Sequence, residues 1–463
     1  MKKLTQILTT LTLVILCLSF VMGCAGDNSN QDNTTTTAAT TTKQTTTTTT
    51  IDLSLIDPDK GDKEDDGRIS SPTVEAPADG KIATAEQLHA VLVEGDPKKD
   101  YTVTAAELDM AKYTWTGLYG YKGIFDFGGC VVKNAKDSFF NSVDGGTVKN
   151  LTVKSSNFYY DDDMASEDFS AVDGVSVGNK MYSPIVRYAT DIKISNIVIE
   201  SDVTIEASIY QQDSHHGGIV GETVGSYVEV TDCVFKGTYI NDSMLVNFGG
   251  IVGKMLSADT TVVNVEEPEK STNIISGCFN YGKLEHKSEG EDSKVGGIVG
   301  YAENVAIIGC ANYGSVKSND EGQCAGIAGY AGGAIYVKNC LNTGAIEGVD
   351  AVGGICGYSN GEIRYFTNCI NIGKISGTER VGGMVGMMKN KETLTNCFNL
   401  SSAYATFSLD ADTNVIDPDN KSTHGNLTIN NCDNIDSVAN ILSLIGAVAP
   451  DVFAAEGSSI VLK

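Results

Sequence analysis

Positive charge is scarce in this chain: 33 lysines and arginines face 59 aspartates and glutamates, for a formal net charge of -26. A surface of that sign repels phosphate backbones, which excludes a nucleic-acid partner and suits solubility and cations. The twelve cysteines contain no C-x-x-C pair and no Cys/His ligand spacing, and this argues against a zinc site or a dithiol redox centre. Also missing from the repetitive part of the chain is any apolar stripe that holds for three helical turns. Short segments rich in Val, Ile and Tyr, punctuated by Gly and Asn, take its place, and they read as strands and corners.

The N-terminus combines Lys2 and Lys3 with an apolar run from Leu11 to Met22 and then Gly23-Cys24. The run is too short and too one-sided for a spanning helix and reads as a signal peptide over residues 1–23. "VMGC" looks like a bacterial lipobox, which makes Cys24 the expected lipidation site and the cell membrane, facing outward, the expected location. Residues 24–75 are Thr-rich and then acidic, with almost nothing to bury, and read as a disordered tether. Asp57, Asp59, Gly61 and Asp62 fail the calcium-loop pattern, so a solvated linker is the reading there.

Beyond the tether the chain repeats itself. Aligned on a glycine doublet, the repeats start at Gly217, Gly249, Gly296, Ala325, Gly353 and Gly382. Repeats of this length signal a solenoid, in which each unit buries its apolar face on its neighbours. A cysteine recurs at one register position: Cys233, Cys278, Cys310, Cys340, Cys369, Cys397 and Cys432. Three residues before each stands an apolar side chain, and one residue before stands Asp, Gly or Asn, the types that tolerate positive φ. Positions three apart on a strand face opposite ways, so both point inward only if a corner intervenes. Each coil is therefore strand, corner, strand, with coils stacked in parallel.

The pattern "GGIVGY" followed by "NCxNxG" resembles the GLUG-type repeats of bacterial surface proteins. That resemblance implies an all-β fold, a right-handed single-stranded parallel β-helix, with an entry through "IATAEQL", "DYTVTAAELDM", "YKGIFDFGGCVVKN" and "SFFNSVDGGTVKNLTV". Short helical caps are expected at both ends: Thr84 to Gln87 is a capping-box match opening a helix, and Val438 to Leu444 has a helical apolar pattern. The expected divisions are an N-terminal cap at 76–123, the β-helix at 124–435 and a C-terminal cap at 436–463.

A buried thiol is a good small filler for a narrow solenoid, and this is the favoured reading of the cysteine column, with disulfides between coils as the alternative. Asn280, Asn312, Asn342, Asn371 and Asn399 recur two positions later, and a column of amides can satisfy itself from coil to coil. Phe235 and Ser401 interrupt the pattern, and regular pairing is expected to loosen there.

No catalytic set is legible. The outward position after the Asn corner gives Glu285, Lys317, Glu347 and Ser376, a solvated ladder. The insertion "FYYDDDMASEDFSAVDG" sets Phe158, Tyr159 and Tyr160 beside Asp161, Asp162 and Asp163, which makes it the candidate ligand loop for a sugar or a cation such as calcium. The pair His215-His216 points to opposite faces and is no metal site by itself. Residues 257–273 look like a plain loop. The expected function is a lipid-anchored binding or adhesion module for carbohydrate, cell wall or protein, without catalysis or a required cofactor. The alternative is a calcium-assisted polysaccharide lyase or glycosidase, for which Arg187 is the basic residue to watch.

Overall fold

The computed structural model describes residues 67–161, 180–209, 213–390, 392–404, 408–410 and 427–463. Cys24, residues 24–66 of the expected tether, Asp162 and Asp163 lie outside them; residues 67–75 are described, and there Arg68 pairs with Asp137 at 3.0 Å and Ile69 bridges Tyr113. The described chain is a parallel β-helix, almost every strand pairing in parallel with its counterparts in the preceding and following coils.

Each regular coil has three walls. The first is a seven-stranded parallel sheet running from Met181–Tyr182 through Ser214–Gly217 and Lys294–Gly296 to Val381–Gly382. The second follows the glycine doublet and includes Val220–Val224, Val252–Leu256, Val299–Ile308, Ala328–Lys338 and Cys356–Thr367. The third is a seven-stranded sheet from Asn157–Asp161 to Ile375–Ser376. Gly217, Gly249, Gly296, Ala325, Gly353 and Gly382 are aligned residue for residue.

The corner before each cysteine is in the left-handed region at every repeat: Asp232, Gly277, Gly309, Asn339, Asn368, Asn396 and Asn431 all have φ between 51° and 60°. The turn lets two residues three apart, such as Ile307 and Cys310, both face the core with no exposure. Asn side chains at these corners form a ladder of their own. Asn368 donates to Asn339 at 3.0 Å, Asn396 to Asn368 at 3.0 Å and Asn431 to Asn396 at 2.8 Å.

The seven register cysteines are buried and free. Each thiol from Cys278 to Cys397 donates to a carbonyl of the preceding coil: Cys310 reaches Ile275 O and Cys340 reaches Ile307 O, both at 3.6 Å. Cys324 and Cys356 stand in columns with Val295 and Val299, as small apolar filler would. Burial pushes the Cys130 thiol up to about 11 and those of Cys324 and Cys356 higher still.

The inner asparagines donate in sequence: Asn280 to Asn312 at 2.7 Å, then Asn312 to Asn342, Asn342 to Asn371 and Asn371 to Asn399, each at 2.8 Å. The column continues to Asn434 at 2.7 Å, past the position of Ser401. Pairing does not loosen at either interruption. Phe235 aligns with Asn280, and Asn399-Leu400 aligns with Asn434-Ile435. Backbone pairing needs no particular side chain, and the Phe235 ring fills the space beside Gly218 and Gly282. The second glycine of each doublet is required by this column: a Cβ on Gly297 would sit 2.6 Å from Asn312 Oδ1.

A helix, Ala85–Glu94, packs on the first coils. Thr84 Oγ1 accepts from Gln87 N and Gln87 Oε1 accepts from Ala83 N, a reciprocal capping box. At the other end helix Val438–Val448 and the hairpin Phe453–Glu456/Ser459–Leu462 cover outward apolar residues Ala311, Leu341, Ile370 and Phe398. Residues 257–273 are not a plain loop. They form two short 3₁₀ turns that bury Val262 and Val263 against Ala334, and Lys338 Nζ pairs with Glu269 at 2.5 Å. Among the described residues no helix is long and apolar enough to cross a membrane.

Candidate functional site

The first and second walls meet at a re-entrant corner. From Val220–Val224 onward the second residue of each of these strands is a glycine that lies against first-wall backbone, where the coil before has Arg187; a Cβ on Gly329 would approach Val295 N to 2.6 Å. The residue after that glycine points outward, into the corner. From coil to coil this position reads Tyr188, Glu222, Lys254, Tyr301, Tyr330 and Tyr358, all in register. At about 4.8 Å per coil the row is about 24 Å long. Tyr301 and Tyr330 stack with ring centroids 4.7 Å apart and 15° between planes, and Tyr358 meets Tyr330 edge-on at 5.6 Å. The three rings are half-buried.

The facing wall contributes Met181, His215, Asn247, Lys294 and Gln323, also in register. Side chains from the two walls touch where His215, Glu222 and Lys254 meet. His215 Nε2 lies 3.2 Å from Lys254 Nζ and 3.8 Å from Glu222 Oε1, and Lys254 pairs with Glu222 at 3.1 Å. Asn247 Nδ2 lies 2.9 Å from His215 Nδ1. His215 and Glu222 are almost wholly buried although they point away from the core. Burial lowers the His215 pKa, against the pull of Glu222, so the imidazole is neutral at pH 7 and accepts from the Lys254 ammonium. Burial also raises the Tyr188 and Tyr330 hydroxyls, which remain protonated donors.

Two acceptors in the facing wall are buried without a hydrogen-bond partner, Asn247 Oδ1 and Gln323 Oε1. With His215 Nε2 accepting from Lys254, Nδ1 carries the imidazole proton, so the Asn247 amide must be reversed to accept there through Oδ1, and Nδ2 is then the atom of this side chain without a partner.

The residues singled out in the sequence fall elsewhere. Strand parity turns Phe158 and Tyr160 into the core, where Phe158 aligns with Ile205 and the Tyr160 hydroxyl lies 3.2 Å from Ser138 Oγ. They are therefore not available to stack on a ligand. Tyr159 is exposed and Asp161 lies at the edge of the described segment. Arg187 is buried, donating to Met181 O at 2.8 Å and Asn141 Oδ1 at 3.2 Å. His216 points inward between Ser214 and Tyr239, at 2.8 and 3.1 Å. The outer charges Glu285, Lys317, Glu347 and Ser376 are aligned, with Lys317 and Glu347 paired at 2.7 Å. Among the described residues no three His, Cys, Asp or Glu side chains are placed to hold a metal ion. The groove tyrosines were present in the repeat as the last letter of "GGIVGY", "AGIAGY" and "GGICGY"; their recurrence after a fixed glycine was the available signal.

No family model matches the chain. No curated protein matches it either. Several solved structures are similar to it. One is "a putative immunoglobulin A1 protease from Bacteroides ovatus", at 17% identity and TM-score 0.35, over 83% of this chain and 91% of that one. Another is an IgA1 protease, at 14% identity and TM-score 0.33, over 69% of this chain; the match spans 22% of that protein's length.

Proposed function

We propose that this protein is a non-catalytic carbohydrate-binding module displayed on the bacterial cell surface, held by a lipid on Cys24 and a Thr-rich tether. The observation that carries the reading is the row Tyr301, Tyr330 and Tyr358, three stacked or edge-on rings presented along a groove. Rings stacked on one another line the groove with their edges and hydroxyls, which offer apolar area and hydrogen bonds together, the combination an amphipathic sugar ring needs. A repeat scaffold presents such rings at the spacing of its coils, which suits an extended chain over a compact ligand. The likeness of the sequence to GLUG-type surface repeats, and of "VMGC" to a lipobox, supports an exported, anchored location.

The test is depletion from solution by insoluble polysaccharides. Wild-type protein is expected to be retained and Tyr330→Ala to remain in the supernatant. Equal retention of both would refute the groove as the binding site. Lipidation is tested by metabolic labelling with a tritiated fatty acid, which Cys24→Ala is expected to abolish.

A further inference from the structure

Resting on that reading, we propose that the groove is specific for an uncharged, hydroxyl-rich glycan chain lying parallel to the solenoid axis. The tyrosine row takes the ring faces, Asn247 and Gln323 of the opposite wall take ring-edge hydroxyls, and the His215–Glu222–Lys254 cluster fixes how far the chain extends. Three independent features meet here. The first is the pair of buried polar groups without partners, two coils apart on the same wall. Buried polar groups in native proteins are satisfied, so an unpartnered amide atom in the side of a groove marks a place where a hydrogen-bond partner belongs. A sugar hydroxyl both donates and accepts, so it can serve the Gln323 oxygen and the Asn247 amide alike; a carboxylate or sulfate can only accept.

The second feature is the break in the aromatic row. Between Tyr188 and Tyr301 the outward position becomes Glu222 and then Lys254, and no ring is offered for two coils. Their charges cancel: the ammonium is held by Glu222 at 3.1 Å and by neutral His215 at 3.2 Å, and it lies 5.9 Å from the Tyr301 ring centroid. The cluster can donate and accept at hydroxyls while carrying no net charge to attract an anion. Lys294 and Arg380, the other cations of this wall, are likewise paired, with Asp292 at 2.9 Å and with Asp350.

The third feature is the charge of the whole chain, -26, which disfavours the approach of a polyanionic glycan. Each feature points to a neutral ligand, and the two walls divide its recognition between ring faces and hydroxyl edges.

The experiment is calorimetric titration of the purified full-length protein with cellohexaose, xylohexaose and mannohexaose as neutral probes and hexagalacturonate as the acidic one. At least one neutral hexasaccharide is expected to bind at least tenfold more tightly than hexagalacturonate. Asn247→Leu and Gln323→Leu, each checked for an unchanged unfolding midpoint, are expected to weaken binding of that sugar about tenfold, while Gln323→Asn loses less. Preferential binding of hexagalacturonate would overturn the inference. Neutral binding lost in Tyr330→Ala but unchanged in both wall variants would overturn the role of the facing wall and leave the groove reading standing. Binding of no probe would count against both.

Discussion

Asn342 Nδ2 donates to Asn371 Oδ1 at 2.8 Å while Asn342 Oδ1 accepts from Asn312 Nδ2 at the same distance. Each amide from Asn312 to Asn399 is thus donor to one coil and acceptor from another, with no exposure to water. Replacing one by Ala leaves two buried partners short, at a cost of about 2–3 kcal/mol. Asn342→Ala should lower the urea midpoint accordingly. Asn342→Asp should cost more at pH 7, because it buries a carboxylate, and regain part of the loss as the pH falls and the acid becomes a donor.

The thiol column is expected to be silent. In native protein the register cysteines should resist a thiol reagent over hours and react completely in denaturant, since burial denies the reagent access and raises the thiols of Cys340 and Cys369. Cys324→Val should change stability by less than about 1.5 kcal/mol, because Val295 and Val352 occupy the same column. Rapid native labelling of several of these thiols would contradict this arrangement.

Glycine substitutions should separate by position. A Cβ on Gly326 would strike Gly354 O and Asn342 of the inner column, and Gly326→Ala should cost about 3 kcal/mol or more. Gly446 lies inside the C-terminal helix with open space around its Cα, so Gly446→Ala should stabilise by up to about 1 kcal/mol. Thermal unfolding distinguishes the two directions.

Acid should destabilise the fold through its buried imidazoles. His286 is held down to about 4 by burial, with Nε2 3.1 Å from Ser293 Oγ, against an ordinary value of 6.5. Below 6.5 the unfolded chain takes up a proton that the folded chain refuses, so stability is full above that pH and falls between about 6.5 and 4. This one group accounts for about 3 kcal/mol over the window. His215 and His216, also lowered by burial, act in the same direction. His286→Gln should flatten the dependence of the unfolding free energy on pH.

One ion pair sits inside the solenoid, where Arg364 and Glu392 align beneath Val305 and Ile335 and approach to 3.5 Å. Removing one partner strands a buried charge, so Arg364→Met alone should cost about 3–5 kcal/mol. The double variant with Glu392→Leu should recover most of that, as measured by a double-mutant cycle in urea.

How far the sequence reaches depends on whether a feature repeats. The corner before each cysteine was legible because Asp232, Gly309 and Asn339 share a tolerance of positive φ, and the inner column because Asn312, Asn342 and Asn371 hold one register. The groove was not legible, although Tyr301, Tyr330 and Tyr358 repeat as clearly. An outward side chain may stand on a convex or a concave edge, and that depends on how closely Gly300, Gly329 and Gly357 let two walls approach, which is a tertiary property. His215, Glu222 and Lys254 come from three strands and share no spacing. Phe158 and Tyr160 were misplaced for the opposite reason: their proximity to acidic residues outweighed a two-residue alternation that already sent both inward.

As proposed, the tyrosine groove holds a glycan without cleaving it. Prolonged incubation with the preferred neutral hexasaccharide, followed by chromatography of the sugar and calorimetry of the protein, tests it directly. Saturable binding that Tyr330→Ala removes is expected, with chain length unchanged and no new reducing or unsaturated ends. Shortened chains, or binding that survives Tyr330→Ala undiminished, would contradict it.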